Sequence, residues 1–254
     1  MSLYILITND DGIHAPGIRA LWTELSAIAD IAVVAPDSER SACSQSITVH
    51  HPIRLSEYAL AQPGITAWSI DGTPTDCVKV ALEALLPQQP DIVVSGINNG
   101  PNLGTDVLYS GTVSAAIEAA LHGLPAIAVS LAAARPEDFS VAASYARQIV
   151  EKVLSQPALP QRTLLNVNVP PLPAAAIKGM AVTTLGTVNY ENVFEQRQDP
   201  RGRAYFWMAG NLVDAGNAPD SDVEVIKAGR VSVTPIHFDL TNYAILDAVK
   251  SWDW

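Results

Sequence analysis

The residues best suited to chemistry begin with two adjacent carboxylates, Asp10 and Asp11, which follow the apolar run from Leu3 to Ile7. Such a run reads as a buried strand, and in an open α/β sheet ligands sit beyond the carboxyl ends of the strands. Two carboxylates this close repel, and a hard divalent cation relieves the repulsion. Adjacent side chains on an extended chain point to opposite faces, so only a turn, opened by Asn9 and closed by Gly12, brings both acids to one ion. The same residues would also serve as a plain acidic turn.

Three further polar segments bear on that choice. Asp37 to Ser46 follows a second apolar run and carries four serines, among them Ser41. Ile97 to Asp106 follows a third run and contains Asn98, Asn99 and Asn102. Ser110-Gly111-Thr112 opens an amphipathic stretch from Val113 to His122. A helix start has unpaired N–H groups and the positive end of the helix dipole, and glycine lets an anion approach the backbone. Ser110 or Thr112 would also act as an ordinary N-cap. Together these segments gather Asp10, Asp11, Ser41, Asn98, Asn99, Ser110 and Thr112. Oxygen donors of this kind suit Mg²⁺, Mn²⁺ or Ca²⁺ rather than zinc. The histidines are scattered, and His14 is the only one kept near the site. A divalent ion beside a helix start favours phosphate-ester hydrolysis, because it polarises a phosphoryl oxygen and lowers the pKa of a bound water. No GxGxxG, GxxxxGK[ST] or GxSxG motif is present, which weighs against dinucleotide, P-loop and serine-hydrolase chemistry.

The elements that must hold these residues read as a doubly wound α/β sheet. Apolar runs at Leu3–Ile7, Ile31–Pro36, Asp91–Gly96 and Ala126–Leu131 read as buried strands, Leu164–Pro171 alternates like a strand, and helical spacing falls between them at 15–29, 113–122 and 139–154. Ile47 to Leu55 and Ile65 to Ile70 read as an edge pair of strands. Thr73, Pro74 and Asp76 have the spacing of a capping box with proline in the first turn. The proline-rich stretch Pro170 to Pro173 marks a boundary between a catalytic core, 1–170, and a β-rich extension with a terminal helix, 171–254. In the extension Met180–Leu185, Ala204–Met208 and Val231–Ile236 read as strands, 217–222 as an exposed acidic loop and 242–252 as a helix. The aromatic residues Tyr190, Phe194, Tyr205, Phe206 and Trp207 suit subunit contacts.

Composition narrows the class. The chain has 254 residues, 48% hydrophobic and 16% charged, enough to bury a substantial core. A net charge of −11 argues against a nucleic-acid-polymer or membrane-surface binder. It does not exclude a small anionic substrate, since one cation and a ring of N–H groups override the global field locally. Cys43 and Cys77 lack metal-type spacing and read as thiols in a reducing cytoplasm. Neither a signal-type N-terminus nor a membrane-length apolar run is evident, so a cytoplasmic protein is expected.

Five motifs in order carry a family resemblance. Asn9-Asp10-Asp11-Gly12, Ala35-Pro36 with Glu39-Arg40-Ser41, Gly72-Thr73-Pro74 with Asp76-Cys77, Ser95-Gly96-Ile97-Asn98 with Gly100-Pro101-Asn102, and Ser110-Gly111-Thr112 together resemble the SurE (survival protein E) family. The resemblance implies a Rossmann-like three-layer αβα core with a mostly parallel sheet. It also implies a metal-dependent phosphomonoesterase that hydrolyses nucleoside 5′-monophosphates, with 3′-monophosphates and polyphosphate as further candidate substrates. One divalent ion per subunit, Mg²⁺ or Mn²⁺ with Ca²⁺ as a crystal substitute, is then expected on Asp10, Asp11, Ser41 and Asn98, with Asp10 and Asp11 catalytic. Substrate phosphate is expected at Asn9, Asn98, Asn102, Ser110, Gly111 and Thr112. The extension is implied to build a homodimer or homotetramer. The loop Ala42-Cys43-Ser44-Gln45-Ser46 departs from the family's commoner small-Gly-His-Ser pattern, so no pocket histidine is expected there.

The alternative is a non-catalytic metal- and nucleotide-binding regulatory module, since phospho-receiver domains also carry acids after their first strand. Such a module needs a phosphorylatable Asp after its third strand and a Lys after its fifth. Ser95 to Asn98 and Ser130-Leu131 stand at those strand ends instead.

Overall fold

The computed structural model describes residues 3–60, 64–134, 136, 138–156, 159–213 and 215–254. Its strands are β1 (Tyr4–Thr8), β2 (Asp30–Pro36), β3 (Leu55–Glu57), β4 (Ile65–Ile70), β5 (Ile92–Asn99), β6 (Ala126–Leu131), β7 (Thr163–Val169), β8 (Met180–Val182), β9 (Asn189–Glu191), β10 (Phe194–Gln198), β11 (Ala204–Met208), β12 (Asn211–Val213) and β13 (Val231–His237). The helices are α1 (Pro16–Leu25), α2 (Pro74–Val80), α3 (Gly111–Leu121), α4 (Ser140–Ser155), α5 (Asp222–Lys227) and α6 (Leu246–Lys250).

Among the described residues nine strands form one sheet in the order β3-β4-β2-β1-β5-β6-β7-β13-β8. The run from β4 to β7 is wholly parallel, whereas β3 and β13 enter antiparallel to β4 and β7. After β1 the chain builds outward through β2 and β4, then returns to the other side of β1 with β5. The crevice between β1 and β5 is therefore the point where strand order reverses, and Asp10 and Asn98 lie at its two lips.

Alternation along the strands makes the three layers. Ile5 and Ile7 face α1 and α4, joined by Ile31, Val33, Val94 and Val129. Leu6 faces the opposite way, with Ala32, Val34, Val93 and Ala128, onto α2 and α3. Because both faces are covered, the strands read as continuous apolar runs rather than alternating ones. Small residues on α3, Ala115, Ala116, Ala119 and Ala120, are buried against that second face and let the helix lie close to the sheet.

The expected αβα core with a β-rich extension is the observed architecture. The boundary placed at 170 falls just after β7, and two strands from beyond it, β13 and β8, extend the same sheet. The pairs β10–β11 and β12–β9 stand apart as two small antiparallel ribbons.

Several elements differ from the sequence reading. The strand expected over Ile47–Leu55 is irregular up to Leu55, because Pro52 has no N–H to donate and only Leu55 to Glu57 pair with β4. The helix read over 15–29 ends at Leu25, and the strand from Met180 ends at Val182. The terminal helix is a 3₁₀ turn, Tyr243–Ile245, followed by the short α6. Asp222, assigned to an exposed acidic loop, is fully buried at the start of α5. The charged stretch around 189–203, not read as strand, contains β9 and β10; β10 pairs with β11 across a turn, and β9 pairs with β12 beyond that hairpin.

Candidate active site

Asp10 and Asp11 leave the sheet through a turn locked by Asn9. The Asn9 amide donates from Nδ2 to the Gly12 carbonyl at 3.0 Å, and its Oδ1 accepts from the Gly12 amide at 3.2 Å. Gly12 has φ of +93°, and a Cβ there would lie 3.2 Å from the Ser38 carbonyl carbon. Only glycine meets both demands cheaply. The turn thus presses on the start of the serine loop, and the Arg40 amide closes the contact on the Asp10 carbonyl at 2.7 Å. The loop's far side is held by Ser44, whose amide and hydroxyl donate to the Tyr109 and Leu108 carbonyls at 3.1 and 2.8 Å.

Asp10 is buried and meets the start of α3. The Thr112 hydroxyl donates to Asp10 Oδ1 at 2.5 Å. A Cβ on Gly111 would lie 2.8 Å from Asp10 Cβ and 3.1 Å from Cys43 Sγ, so the glycine permits this approach. Burial pushes the Asp10 carboxyl up to about 6; the Thr112 hydrogen bond opposes that rise and the Asp11 charge adds to it. Asp11 is less enclosed. Its Oδ2 accepts from the Asn99 amide at 2.9 Å, and its pKa is raised by burial, lowered by that bond and raised again by the nearby Glu39 charge.

Asn98 reaches the site because β5 shifts register against β6 between Ser95 and Asn98. Gly96 sits in that shift with φ of +138°, where a Cβ would collide with the Val129 carbonyl oxygen. The Asn98 amide donates from Nδ2 to the Gly100 carbonyl at 2.9 Å, an arrangement that does not use Oδ1 as an acceptor.

The remaining expected site residues are placed as follows. Ser41 is exposed on the loop, and its hydroxyl donates to Glu39 Oε1 at 2.5 Å. Ser110 is the N-cap of α3, accepting from the Val113 amide at 3.1 Å. Asn102 is buried, with Nδ2 donating to Ser130 Oγ at 2.8 Å and its backbone engaged by Asn166 and Asn168. His14 pairs edge-on with the Tyr58 ring, with centroids 5.2 Å apart. Two contributors escaped the sequence reading. Glu39 places a further carboxylate on the rim, and the Asn99 backbone, rather than its side chain, orients Asp11. Neither has a local signal, since both depend on which loops meet.

The donors fit a hard cation. Among the described residues no Lys, Arg or His pairs with Asp10 or Asp11, and no third His, Cys, Asp or Glu joins them in a cluster, so the rest of a shell would come from neutral oxygens. A buried carboxylate beside a second one without counter-charge is costly. Neutral oxygens from Ser41 and Asn98 would complete the shell that two carboxylates begin.

Comparison with known proteins identifies the family. A family model described as Survival protein SurE matches residues 5–192. A protein of Heliobacterium modesticaldum named 5′-nucleotidase SurE is 54% identical over 248 residues, covering 98% of this chain and 91% of the relative. One of the same name from Moorella thermoacetica is 51% identical over 255 residues, covering 99% and 98%. The crystal structure of a SurE protein from Aquifex aeolicus superposes with a TM-score of 0.85 at 38% identity, covering 97% of this chain and 98% of that one. On the strength of the ordered motifs, the shared fold and these near-full-length matches, the chain belongs to the SurE family.

Proposed function

We propose that this chain is a divalent-metal-dependent 5′-nucleotidase that hydrolyses nucleoside 5′-monophosphates to nucleoside and phosphate. The observation that carries the reading is the buried Asp10 carboxylate beside Asp11 at the strand-order reversal, with no cation among the described side chains to neutralise either acid. Relatives of the same name and near-equal length support it. One ion, Mg²⁺ or Mn²⁺, would be held by Asp10, Asp11, Ser41 and Asn98. When bound it supplies electrophilic activation of the phosphoryl group and of the attacking water.

The chain's own groups do the rest. Thr112 fixes one Asp10 oxygen and the Asn99 amide fixes one Asp11 oxygen, so each acid is presented in a single orientation. The first turn of α3 lies against Asp10, so the backbone at Gly111 offers the helix end to an incoming phosphate, with Asn98 opposite on β5. Ser110 and Thr112 shape that turn through the cap and through Asp10, and Asn9 and Asn102 hold the two loops that flank it. The protein acts as a homodimer or homotetramer in the cytoplasm, and the exposed ribbon of Phe194, Phe206, Trp207 and Met208 meets a second copy of the chain. No helix among the described residues is long and apolar enough to cross a membrane.

The test is hydrolysis of a panel of nucleoside 5′-monophosphates, 3′-monophosphates and polyphosphate by the purified chain. EDTA should abolish phosphate release, and Mn²⁺ or Mg²⁺ should restore it. Asp10→Asn and Asp11→Asn should each lower kcat by about a thousandfold or more while leaving the circular dichroism spectrum unchanged. Release that is indifferent to chelation, or full activity in both variants, would remove the proposal.

A further inference from the structure

A hydrogen-bonded clamp ties the loop after β5 to the segment beyond residue 170, and the proposed reaction does not account for it. Asp222 is fully buried. Its Oδ2 accepts from the Gly104 amide at 2.8 Å, and its Oδ1 accepts from the Gly186 amide at 2.8 Å and the Val223 amide at 2.9 Å. Starting α5 does not require this charge, because Ser221 already caps that helix by accepting from the Glu224 amide at 3.3 Å. Gly104 has φ of +50°, and a Cβ there would lie 2.7 Å from the Gly186 carbonyl oxygen. The missing Cβ of Gly104 therefore lets its backbone touch that of Gly186, and one side chain accepts from both amides. An ionised carboxylate has two accepting oxygens; asparagine in its place would turn an NH₂ group toward an amide donor.

The same loop is held from the sheet side. The Asn102 carbonyl accepts from Asn166 Nδ2 at 2.8 Å and Asn168 Nδ2 at 2.9 Å, while Asn168 Oδ1 accepts from the Asn102 amide at 2.9 Å. Both asparagines lie on β7 and are fully buried. The loop follows directly on Asn98 and Asn99, the last residues of β5, whose side chain and amide respectively serve the candidate site. We infer that Asp222, Asn166 and Asn168 are positioning residues that fix the loop from Asn98 to Asp106, so that a side chain from the extension sets the geometry of the site in the core. The consequence for catalysis rests on the nucleotidase reading; the consequence for the loop does not.

The experiment compares full-length wild type, Asp222→Asn, Asn168→Ala and Asn166→Ala with Val150→Ala, a buried change in α4 that serves as a destabilised control. Hydrogen–deuterium exchange of peptides spanning 98–106, Mn²⁺ affinity by calorimetry, and kcat and KM for adenosine 5′-monophosphate are measured on each. The clamp variants should exchange about tenfold faster in 98–106, bind Mn²⁺ about fivefold more weakly, and lose about tenfold in kcat with KM changed less than about threefold. Val150→Ala should lower the melting temperature without these changes. Unaltered exchange in 98–106 in the folded clamp variants, or the same changes in Val150→Ala, overturns the inference. Should Asp222→Asn fail to fold, the two β7 variants decide it alone. A wild type that leaves adenosine 5′-monophosphate intact would count against the nucleotidase reading, while exchange and Mn²⁺ affinity would still judge the clamp.

Discussion

Burial holds the Asp10 carboxyl at about 6, and that shift has a definite sign for stability. The folded-state pKa lies above the ordinary value of 3.8, so the folded protein binds this proton more tightly than the unfolded chain does. The stability it contributes is present below the unfolded pKa and is lost as pH rises through about 6. Thermal melts in EDTA should therefore show Asp10→Asn above wild type by roughly 5 °C at pH 8, with the gap closing toward pH 4. Saturating Mn²⁺ should reverse the order at pH 8, because only wild type gains a bound cation. A gap that does not vary with pH would show that burial of charge is not the cause. Gly111 is tested at the same scale. A methyl group there would sit 2.8 Å from Asp10 Cβ, so Gly111→Ala must move either the acid or the helix start. Its kcat should fall by about tenfold or more, although alanine suits a helix better than glycine. Undiminished turnover in that variant would mean the close approach has no function.

Among the elements, the start of α2 does more than begin a helix. Thr73 and Asp76 form a reciprocal capping box, with the Thr73 amide donating to Asp76 Oδ2 at 2.9 Å and the Asp76 amide donating to Thr73 Oγ1 at 3.1 Å. The same two side chains reach the end of the serine loop. Thr73 Oγ1 donates to the Ser46 carbonyl at 2.7 Å, and Asp76 Oδ1 accepts from the Thr48 amide at 3.0 Å. Burial alone would raise the Asp76 carboxyl, yet the bonds from Thr48 and Thr73 outweigh it and hold the group below its ordinary value. Asp76→Ala should lower stability by about 1–2 kcal/mol in denaturant titrations, as expected for a lost cap with an orphaned amide. It should also raise the Mn²⁺ concentration needed for half-maximal activity, because Ser41 rides on the loop that Thr48 helps to anchor. A pure loss of stability with unchanged Mn²⁺ demand would confine α2 to a scaffolding role.

At the scale of the molecule, the strands beyond residue 170 fall into two sets. Strands β8 and β13 complete the main sheet, whereas β10 and β11 project Phe194, Phe206, Trp207 and Met208 into solvent at 59% exposure or more. By the pairing register Phe194, Phe206 and Met208 share one face of the ribbon and Trp207 takes the other, and exposed apolar side chains on a ribbon suit a second copy of the chain. Replacing Phe206 and Trp207 with serine should shift the sedimentation coefficient toward the monomer while leaving the far-ultraviolet spectrum unchanged. A wild type that already sediments as a monomer would rule out the oligomer.

Much of the architecture was legible from pattern alone. Apolar runs such as Ile5 to Ile7 and Ile31 to Ala35 are long enough to name buried parallel strands, and Thr73, Pro74 and Asp76 announce a helix by local chemistry that needs no distant partner. The ordered motifs were sufficient to recognise the family. What only the tertiary structure decided is where hydrogen bonds between distant segments go. Thr112 is turned to Asp10 across 102 positions, the Asn99 amide to Asp11 across 88, and Asp222 to Gly104 across 118. Such pairings arise from strand order and from glycines that let backbones meet, and no local propensity encodes either. Residue types and their spacing were enough to propose a site of oxygen ligands for a hard cation. Which oxygen of each acid is held, and by which loop, followed from the packing of α3 and the β5 loop around the crevice.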